Sequence, residues 1–394
     1  MMMCKDKIYL GNNLDVLKTF EDNSIDSVVT DPPYGINFMN KKWDYDVPSV
    51  ELWLEVIRVL KPGGHILCAC GTRTQHRMAV NIEDAGFEIR DIVAWVYGSG
   101  FPKSLDIGKA VSKVMGEEVK QGTAFKTAGE YGNRNLKDPT PINDREQYRH
   151  NPKTEEGKIW QGWGTALKPA MELWTLARKP FKSTVAENVL KYGTGGINID
   201  GCRVEFNGDE NTLRPLGKSA YQKGSGMVNG GVAGTHKVES EIGGNSDKGR
   251  FPANLIHDGS AEVVDGFKED AQRFFYTAKA SQAERNMGLY GFEEDTTDDG
   301  RDKSIDNAFQ RGETKRRNIH PTVKPLELMR YLVRLITPKD GLCLDPYVGS
   351  GTTAIAAKQE KMRYIGIELD EKYHAIAEAR IKAAFVQYDI FDYL

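Results

Sequence analysis

Asp31-Pro32-Pro33-Tyr34 is a short run whose groups could together act on a flat, nitrogen-bearing ring. An amine conjugated into such a ring is a poor nucleophile, because its lone pair is delocalised. A carboxylate (Asp31) and a rigid backbone carbonyl (that of Pro32) can accept both amine protons. This draws the nitrogen towards tetrahedral geometry and frees the lone pair for direct in-line attack, with no covalent intermediate. Tyr34 supplies an aromatic face for the ring to stack on, and the prolines hold these groups in place. Such catalysis is positioning and electrostatics. Alone, a Pro-Pro turn with a tyrosine is more simply structural, so its meaning depends on what lies beside it.

A second set lies towards the other end of the chain. Asp345-Pro346-Tyr347-Val348-Gly349-Ser350-Gly351-Thr352-Thr353 follows the apolar run Leu342-Cys343-Leu344 and opens a helical pattern. Glycines there let backbone approach a ligand closely, and a helix N-terminus offers unpaired N–H donors. Two glycines one residue apart fit a structural turn equally well. Glu368, at the end of the next apolar run and 17 residues after Gly351, favours a nucleoside, because a carboxylate at that place can accept from ribose hydroxyls. The chain has no GxxxxGK[ST] loop, which disfavours a triphosphate.

Both sets need strands to carry them. Ile25-Asp26-Ser27-Val28-Val29-Thr30 reads as a buried strand that stops at the Pro pair. Leu52 to Leu60 reads as a helix ended by Lys61-Pro62-Gly63-Gly64. His65 to Cys70 is the next strand, Met78 to Ala85 a helix, and Phe87 to Tyr97 a strand. Near the C-terminus, Leu326 to Ile336 is a helix, Leu342 to Asp345 a strand, Thr352 to Glu360 a helix, Tyr364 to Leu369 a strand, and Glu371 to Ala384 a helix. Alternation of this kind predicts a parallel, doubly wound sheet. Neither end holds enough strands alone, so the two form one discontinuous α/β domain around a long insertion.

The insertion spans roughly residues 101–318, with one strand expected at Met171 to Ala177. Its remainder is polar and glycine-rich, as in Gly224-Ser225-Gly226 and Gly243-Gly244-Asn245. It fits either plain surface or a region that orders on a substrate. From Arg311 to Arg334 seven cationic residues face two acidic ones, so Lys315-Arg316-Arg317 is a candidate phosphate contact, with a solvated helix face as the alternative. The five cysteines form no zinc-like set with histidine, and Cys68 and Cys70 read as buried thiols. A net charge of −3 neither requires nor excludes a polyanionic partner. No apolar run reaches membrane-span length, and the N-terminus lacks a secretory signal, which predicts a soluble intracellular protein.

Together these motifs resemble the amino-methyltransferases of DNA, in the β arrangement where the DPPY motif precedes the cofactor motif. The resemblance covers roughly residues 7–97 and 318–382. It implies a Rossmann-like, S-adenosylmethionine-dependent methyltransferase fold, circularly permuted, with a mostly parallel seven-stranded sheet and a large inserted target-recognition region. Residues 1–100 and 319–394 would be the two halves of the catalytic domain and 161–181 a further strand of it. Residues 101–160 would be an insertion, and 182–318 the target-recognition region. Catalysis would fall to Asp31, Pro32, Pro33 and Tyr34. Cofactor binding would fall to Asn12, Asp31, His320, Thr322, Lys324, Asp345, Pro346, Tyr347, Gly349, Ser350, Gly351, Thr352, Glu368 and Leu369. Glu368 would take the ribose, and His320-Pro321-Thr322-Val323-Lys324-Pro325 would close over the methionine end. Tyr347 stands where relatives commonly carry phenylalanine, and Asn12 where many carry aspartate.

The resemblance implies a site-specific enzyme moving methyl from S-adenosylmethionine to adenine N6 of a base flipped out of double-stranded DNA. The product would be S-adenosylhomocysteine, with no metal involved and no membrane. In the family Asp at the first motif position goes with adenine and Ser with cytosine N4. Cytosine N4 is one alternative; a catalytically silent DNA-binding cofactor sensor is another, and methylation of RNA or of a protein amide a third. The implied setting is the cytoplasm of a bacterial cell or a phage-infected host. A homodimer and a cognate restriction endonuclease are the partners compatible with it.

Overall fold

The computed structural model describes residues 4–35, 46–98, 100, 104–116, 152, 154–205, 249–267, 274–296 and 315–391. Gly224-Ser225-Gly226, Gly243-Gly244-Asn245 and Arg311 fall outside them, as does the side chain of Lys315. Its centre is one sheet. Strands β1 (Lys7–Leu10), β2 (Ile25–Thr30), β3 (Leu60–Gly71), β4 (Glu88–Val96) and β5 (Met171–Arg178) come from the first half. Strands β6 (Leu255–His257), β7 (Phe275–Tyr276), β10 (Leu342–Asp345) and β11 (Arg363–Glu368) complete it, in the order β1-β11-β10-β2-β3-β5-β4-β6-β7. All neighbours are parallel except β5, which runs antiparallel to both β3 and β4. A separate two-stranded ribbon pairs β8 (Asp295–Thr296) with β9 (Lys315–Arg316).

The two ends of the chain interleave. β10 lies beside β2, with Leu344 opposite Val28, while β1 sits on the far side of β11. Chain order therefore runs away from the β10–β2 pair in both directions, and this is where open α/β sheets bind ligands, beyond the carboxyl ends of the strands. The motif after β2 and the motif after β10 share that edge.

Both sheet faces are covered, which explains the near-continuous apolar runs of the central strands. Val28, Ile66, Cys68 and Leu344 face Trp53 and Val56 of the helix Val50–Val59. Val29 and Leu67 turn the other way, to Trp174 and to Leu328 and Leu332 of the helix Leu326–Ile336. Among the described residues no helix is long and apolar enough to cross a membrane.

Three local expectations change. Among the described residues the sheet has nine strands rather than seven, because β6 and β7 extend its edge beyond β4. They are three and two residues long, too short for a period to show; pairing with β4 makes them strands. Second, Pro62-Gly63-Gly64 does not form a free turn. The helix ends at Val59 and the run enters β3, because Gly63 N and Gly64 O bond the backbone of Lys179 just past β5 (3.0 and 2.9 Å). Third, the insertion holds more regular structure than its composition suggests. It includes helices at Ile107–Val114, Glu155–Ile159, Val185–Tyr192, Ala261–Phe267 and Gln282–Arg285. The third carries a local signal that was not used, a reciprocal capping box between Thr184 and Glu187.

Candidate active site

Asp31 is the first residue past β2. The prolines carry the chain out of the sheet, and Thr74 Oγ1 donates to Tyr34 O at 2.6 Å, tying the turn to the start of the next helix. Gly71, at the end of β3, makes room for the tyrosine ring: a Cβ there would stand 3.3 Å from it. Tyr34 Oη donates to Asp31 Oδ1 at 2.7 Å. Lys324 Nζ lies 2.9 Å from Asp31 Oδ2, 3.0 Å from Tyr34 Oη and 3.0 Å from Glu172 Oε2.

Burial, and then the neighbouring Asp31 carboxylate, holds the Tyr34 hydroxyl well above the usual phenol range. Burial also raises Glu172, partly offset by the Lys324 ammonium. For Lys324 burial works downwards, but the carboxylates of Asp31 and Glu172 overrule it and hold the ammonium above its ordinary value. Two carboxylates, one ammonium and one phenol thus form a single buried cluster.

Glu172 was not singled out by sequence reasoning. It is the second residue of β5, opposite Gly71 on one side and Trp95 on the other. Because β5 is antiparallel, its beginning reaches the edge where the parallel strands end, so Glu172 arrives beside Tyr34. The available signal was a lone acid within the apolar strand Met-Glu-Leu-Trp-Thr-Leu-Ala.

The glycine turn after β10 forms the adjoining wall. Asp345 is buried, and its carboxylate accepts from Thr30 Oγ1 (2.7 Å), Thr353 Oγ1 (2.5 Å) and Tyr347 N (3.0 Å). Burial pushes it up to about 6 in spite of these donors. Asp345 thereby braces the turn through contacts within the chain. Gly349 has φ +54°, a backbone region that favours glycine, and a Cβ there would meet His320 Nε2 at 2.7 Å. Glu368, the last residue of β11, accepts from Gly349 N and Asp370 N, each at 2.9 Å, and burial pushes its carboxyl up to about 7.

His320 lies over this turn. Its Nδ1 is 2.5 Å from Thr322 O, a carbonyl that can only accept, so Nδ1 carries the proton. Its ring meets Tyr373 edge-on at 4.7 Å between centroids. Burial lowers it to about 4, so the imidazole is neutral near pH 7.

One cleft of about 790 Å³ joins both halves. Every residue expected at the site lines it except Gly351, which sits beneath as the N-cap of the helix Thr352–Gln359 and packs on Ala377. Asn12 lines the rim, though its side-chain oxygen caps the helix Asn13–Leu17. Asn13, not expected, donates to Pro346 O at 3.3 Å. Among the described residues lining the cleft, Arg316 and Arg317 are not found. Arg317 lies 3.7 Å from Glu294, and two other cations of that stretch, Arg330 and Arg334, are engaged by Glu360. Among the described residues no three His, Cys, Asp or Glu side chains are grouped to hold a metal ion.

A second set of residues missed in the sequence buttresses the turn from behind. Arg380, 1% exposed, donates to Ser350 O, to Ser350 Oγ (3.0 Å) and to Thr352 Oγ1 (3.1 Å). Its other nitrogen reaches Glu284 O at 3.3 Å, in the insertion. Burial lowers this guanidinium to about 10. The neighbouring Arg285 donates to the carbonyls of His320 and Pro321 at 3.3 and 3.4 Å. The insertion's short helix thus grips both the glycine turn and the histidine segment.

A family model described as DNA methylase matches residues 25–379. The type II methyltransferase M.HindIII of Haemophilus influenzae is 22% identical over 420 positions, covering 95% of each chain. The type II methyltransferase M2.DpnII of Streptococcus pneumoniae is 42% identical over 64 residues, 16% of this chain and 24% of that one. Among solved structures, the PvuII DNA methyltransferase (cytosine-N4-specific) is 15% identical, with 98% of this chain and 93% of that chain covered and a TM-score of 0.43. The M1.HpyAVI–SAM complex is also 15% identical, with coverage of 95% and 98% and a TM-score of 0.40.

Proposed function

The chain belongs to the N6/N4 DNA methylase family, and from that premise we propose that it methylates N6 of adenine in double-stranded DNA, with S-adenosylmethionine as the methyl donor. The observation that carries this reading is the adjacency of two strand ends. β2 delivers Asp31 and Tyr34, and β10 delivers the glycine turn, to one cleft.

S-adenosylmethionine supplies a methyl group on a sulfonium, activated for direct transfer. The cleft has donors and acceptors that suit it: Glu368 presents a carboxylate fixed by two backbone N–H groups, with lone pairs remaining for ribose hydroxyls. His320 closes the glycine turn as a neutral ring.

On the other side of the cleft, Asp31 and the carbonyl of Pro32 accept the two protons of the target amine, and Tyr34 stacks on the base. The amine nitrogen forms the new C–N bond as the C–S bond breaks, its electron pair staying on sulfur. The nitrogen then sheds one proton, and Asp31 is placed to take it. The base must leave the helix to reach this cleft, at a cost of a few kcal/mol. Residues 101–160 and 182–318 are proposed to offset that cost through DNA contacts, with Lys315-Arg316-Arg317 on phosphate.

Adenine rather than cytosine follows from aspartate at position 31, through the resemblance to the family. The test is to incubate the protein with duplex DNA and isotopically labelled donor, digest to nucleosides and identify the labelled species by mass spectrometry. N6-methyladenine is expected. N4-methylcytosine would overturn the choice of base, and unlabelled DNA would overturn the activity.

A further inference from the structure

We propose that Glu172 is a positioning residue that draws the Lys324 ammonium off Asp31 when the target base enters. The inference rests on Asp31 being the acceptor of the target amine.

In the structure Asp31 is already satisfied. Oδ1 accepts from Tyr34 Oη and Oδ2 from Lys324 Nζ. The ammonium is saturated too, since its three N–H donors meet three acceptors, on Asp31, Tyr34 and Glu172. It also lies 5.4 Å from the centroid of the Tyr34 ring. Lys324 therefore stands at both features the base would use, the carboxylate and the aromatic ring. An incoming amine has to take its place on Asp31.

A displaced ammonium needs somewhere to go. The Lys324 side chain is 11% exposed, and a buried charge that loses its partner is strongly destabilising. Glu172 offers the alternative. Its Oε2 already holds Lys324, while Oε1 is buried and has no hydrogen-bond partner among the described residues. An acceptor left empty in that position calls for an explanation. With Lys324 drawn fully onto Glu172, both carboxylate oxygens are engaged and Asp31 is open to the amine. The two partners differ in mobility as this requires. Glu172 is held in a strand paired on both sides, whereas Lys324 swings on a four-carbon stem.

The test uses the full chain as wild type, Glu172→Gln, Lys324→Met and the double variant. It reads the single-turnover rate of methyl transfer to duplex DNA, the donor's dissociation constant and the melting temperature. Glu172→Gln is expected to slow transfer about tenfold or more while the donor's affinity stays within about twofold. The double variant is expected to match Lys324→Met alone, because with no ammonium to move Glu172 has no further task. An unchanged rate in Glu172→Gln, or losses that multiply in the double variant, would overturn the proposal. Should Glu172→Gln fail to fold, Glu172→Asp keeps the charge and is expected to retain at least half of the wild-type rate; loss of activity in a folded Glu172→Asp whose double with Lys324→Met is slower still would overturn it as well. Wild-type protein that transfers no methyl would bring down the reading of the reaction, and this inference with it. Transfer by wild type with an indifferent Glu172 would bring down the inference alone.

Discussion

The hydroxyl of Thr30, the last residue of β2, donates to Asp345 Oδ1, the last residue of β10, at 2.7 Å across 315 residues of chain. This bond ties the strand that delivers Asp31 to the strand that delivers the glycine turn. Both partners are buried, so losing the donor leaves a carboxylate short of one of its three hydrogen bonds. Thr30→Val, nearly isosteric, is expected to lower stability by about 1–3 kcal/mol, measured as a shift in the urea midpoint. Thr30→Ser keeps the hydroxyl and should lose clearly less. Equal losses in the two variants would assign the effect to packing rather than to the bond.

Glu368 gives the site a pH dependence with a definite sign. Its carboxyl is pushed from an ordinary 4.5 up to about 7, chiefly by burial. Between those values the protein without ligand favours the protonated form. Ribose hydroxyls donate to the ionised form, so binding of the donor should favour ionisation and tighten as pH rises through about 7. From pH 8 down to pH 6 the dissociation constant of S-adenosylmethionine is expected to weaken about tenfold, read by titration calorimetry. Asp345 titrates at about 6, but its carboxylate faces Thr30, Thr353 and the Tyr347 amide. His320, at about 4, stays neutral throughout. Glu368→Gln should therefore bind more weakly at pH 8 and show a flat profile; a profile of unchanged slope in that variant would remove Glu368 from the ribose.

What the sequence made legible divides along contact range. Asp31-Pro32-Pro33-Tyr34 and Asp345 to Thr352 are continuous runs next to strands, and their position at strand ends could be read directly. The mostly parallel sheet followed from alternating apolar patterns, and its permuted order from which end each motif occupied. Lys324 was legible only as part of a turn. Its engagement of Asp31, Tyr34 and Glu172 depends on an antiparallel strand 152 residues away along the chain, which no local period encodes. Arg380 and Glu284 were invisible for the same reason, each looking like an ordinary charged helix residue until the insertion packs against the glycine turn. The strands β6 and β7 owe their existence to a neighbour's register rather than to their own composition.

Gly349 is the position in the turn with the least tolerance. Its φ of +54° disfavours any side chain, and an added Cβ would come within 2.7 Å of His320 Nε2. Gly349→Ala is expected to cost about 1–2 kcal/mol in backbone strain and to push His320 off the turn. Donor affinity should fall more than tenfold, because the Gly349 amide also fixes Glu368. Thermal melting separates the two effects: a variant with normal affinity and a lower melting temperature would reduce Gly349 to a structural role.

The two chemical features of the DPPY turn are separable by substitution. Asp31→Ala removes the proposed acceptor of the amine protons and also one partner of Lys324. Transfer is expected to fall about a thousandfold or more, with S-adenosylmethionine still bound. Tyr34→Phe keeps the aromatic face and deletes the hydroxyl that occupies Asp31 Oδ1, so transfer should stay within about tenfold of wild type. Tyr34→Ala deletes the face itself and should weaken capture of the flipped base by about 1–3 kcal/mol, visible as loss of fluorescence enhancement from 2-aminopurine placed at the target position. If Tyr34→Phe proved as inactive as Asp31→Ala, the hydroxyl rather than the ring would be the chemical part of that residue, and the stacking role assigned to Tyr34 would have to be withdrawn.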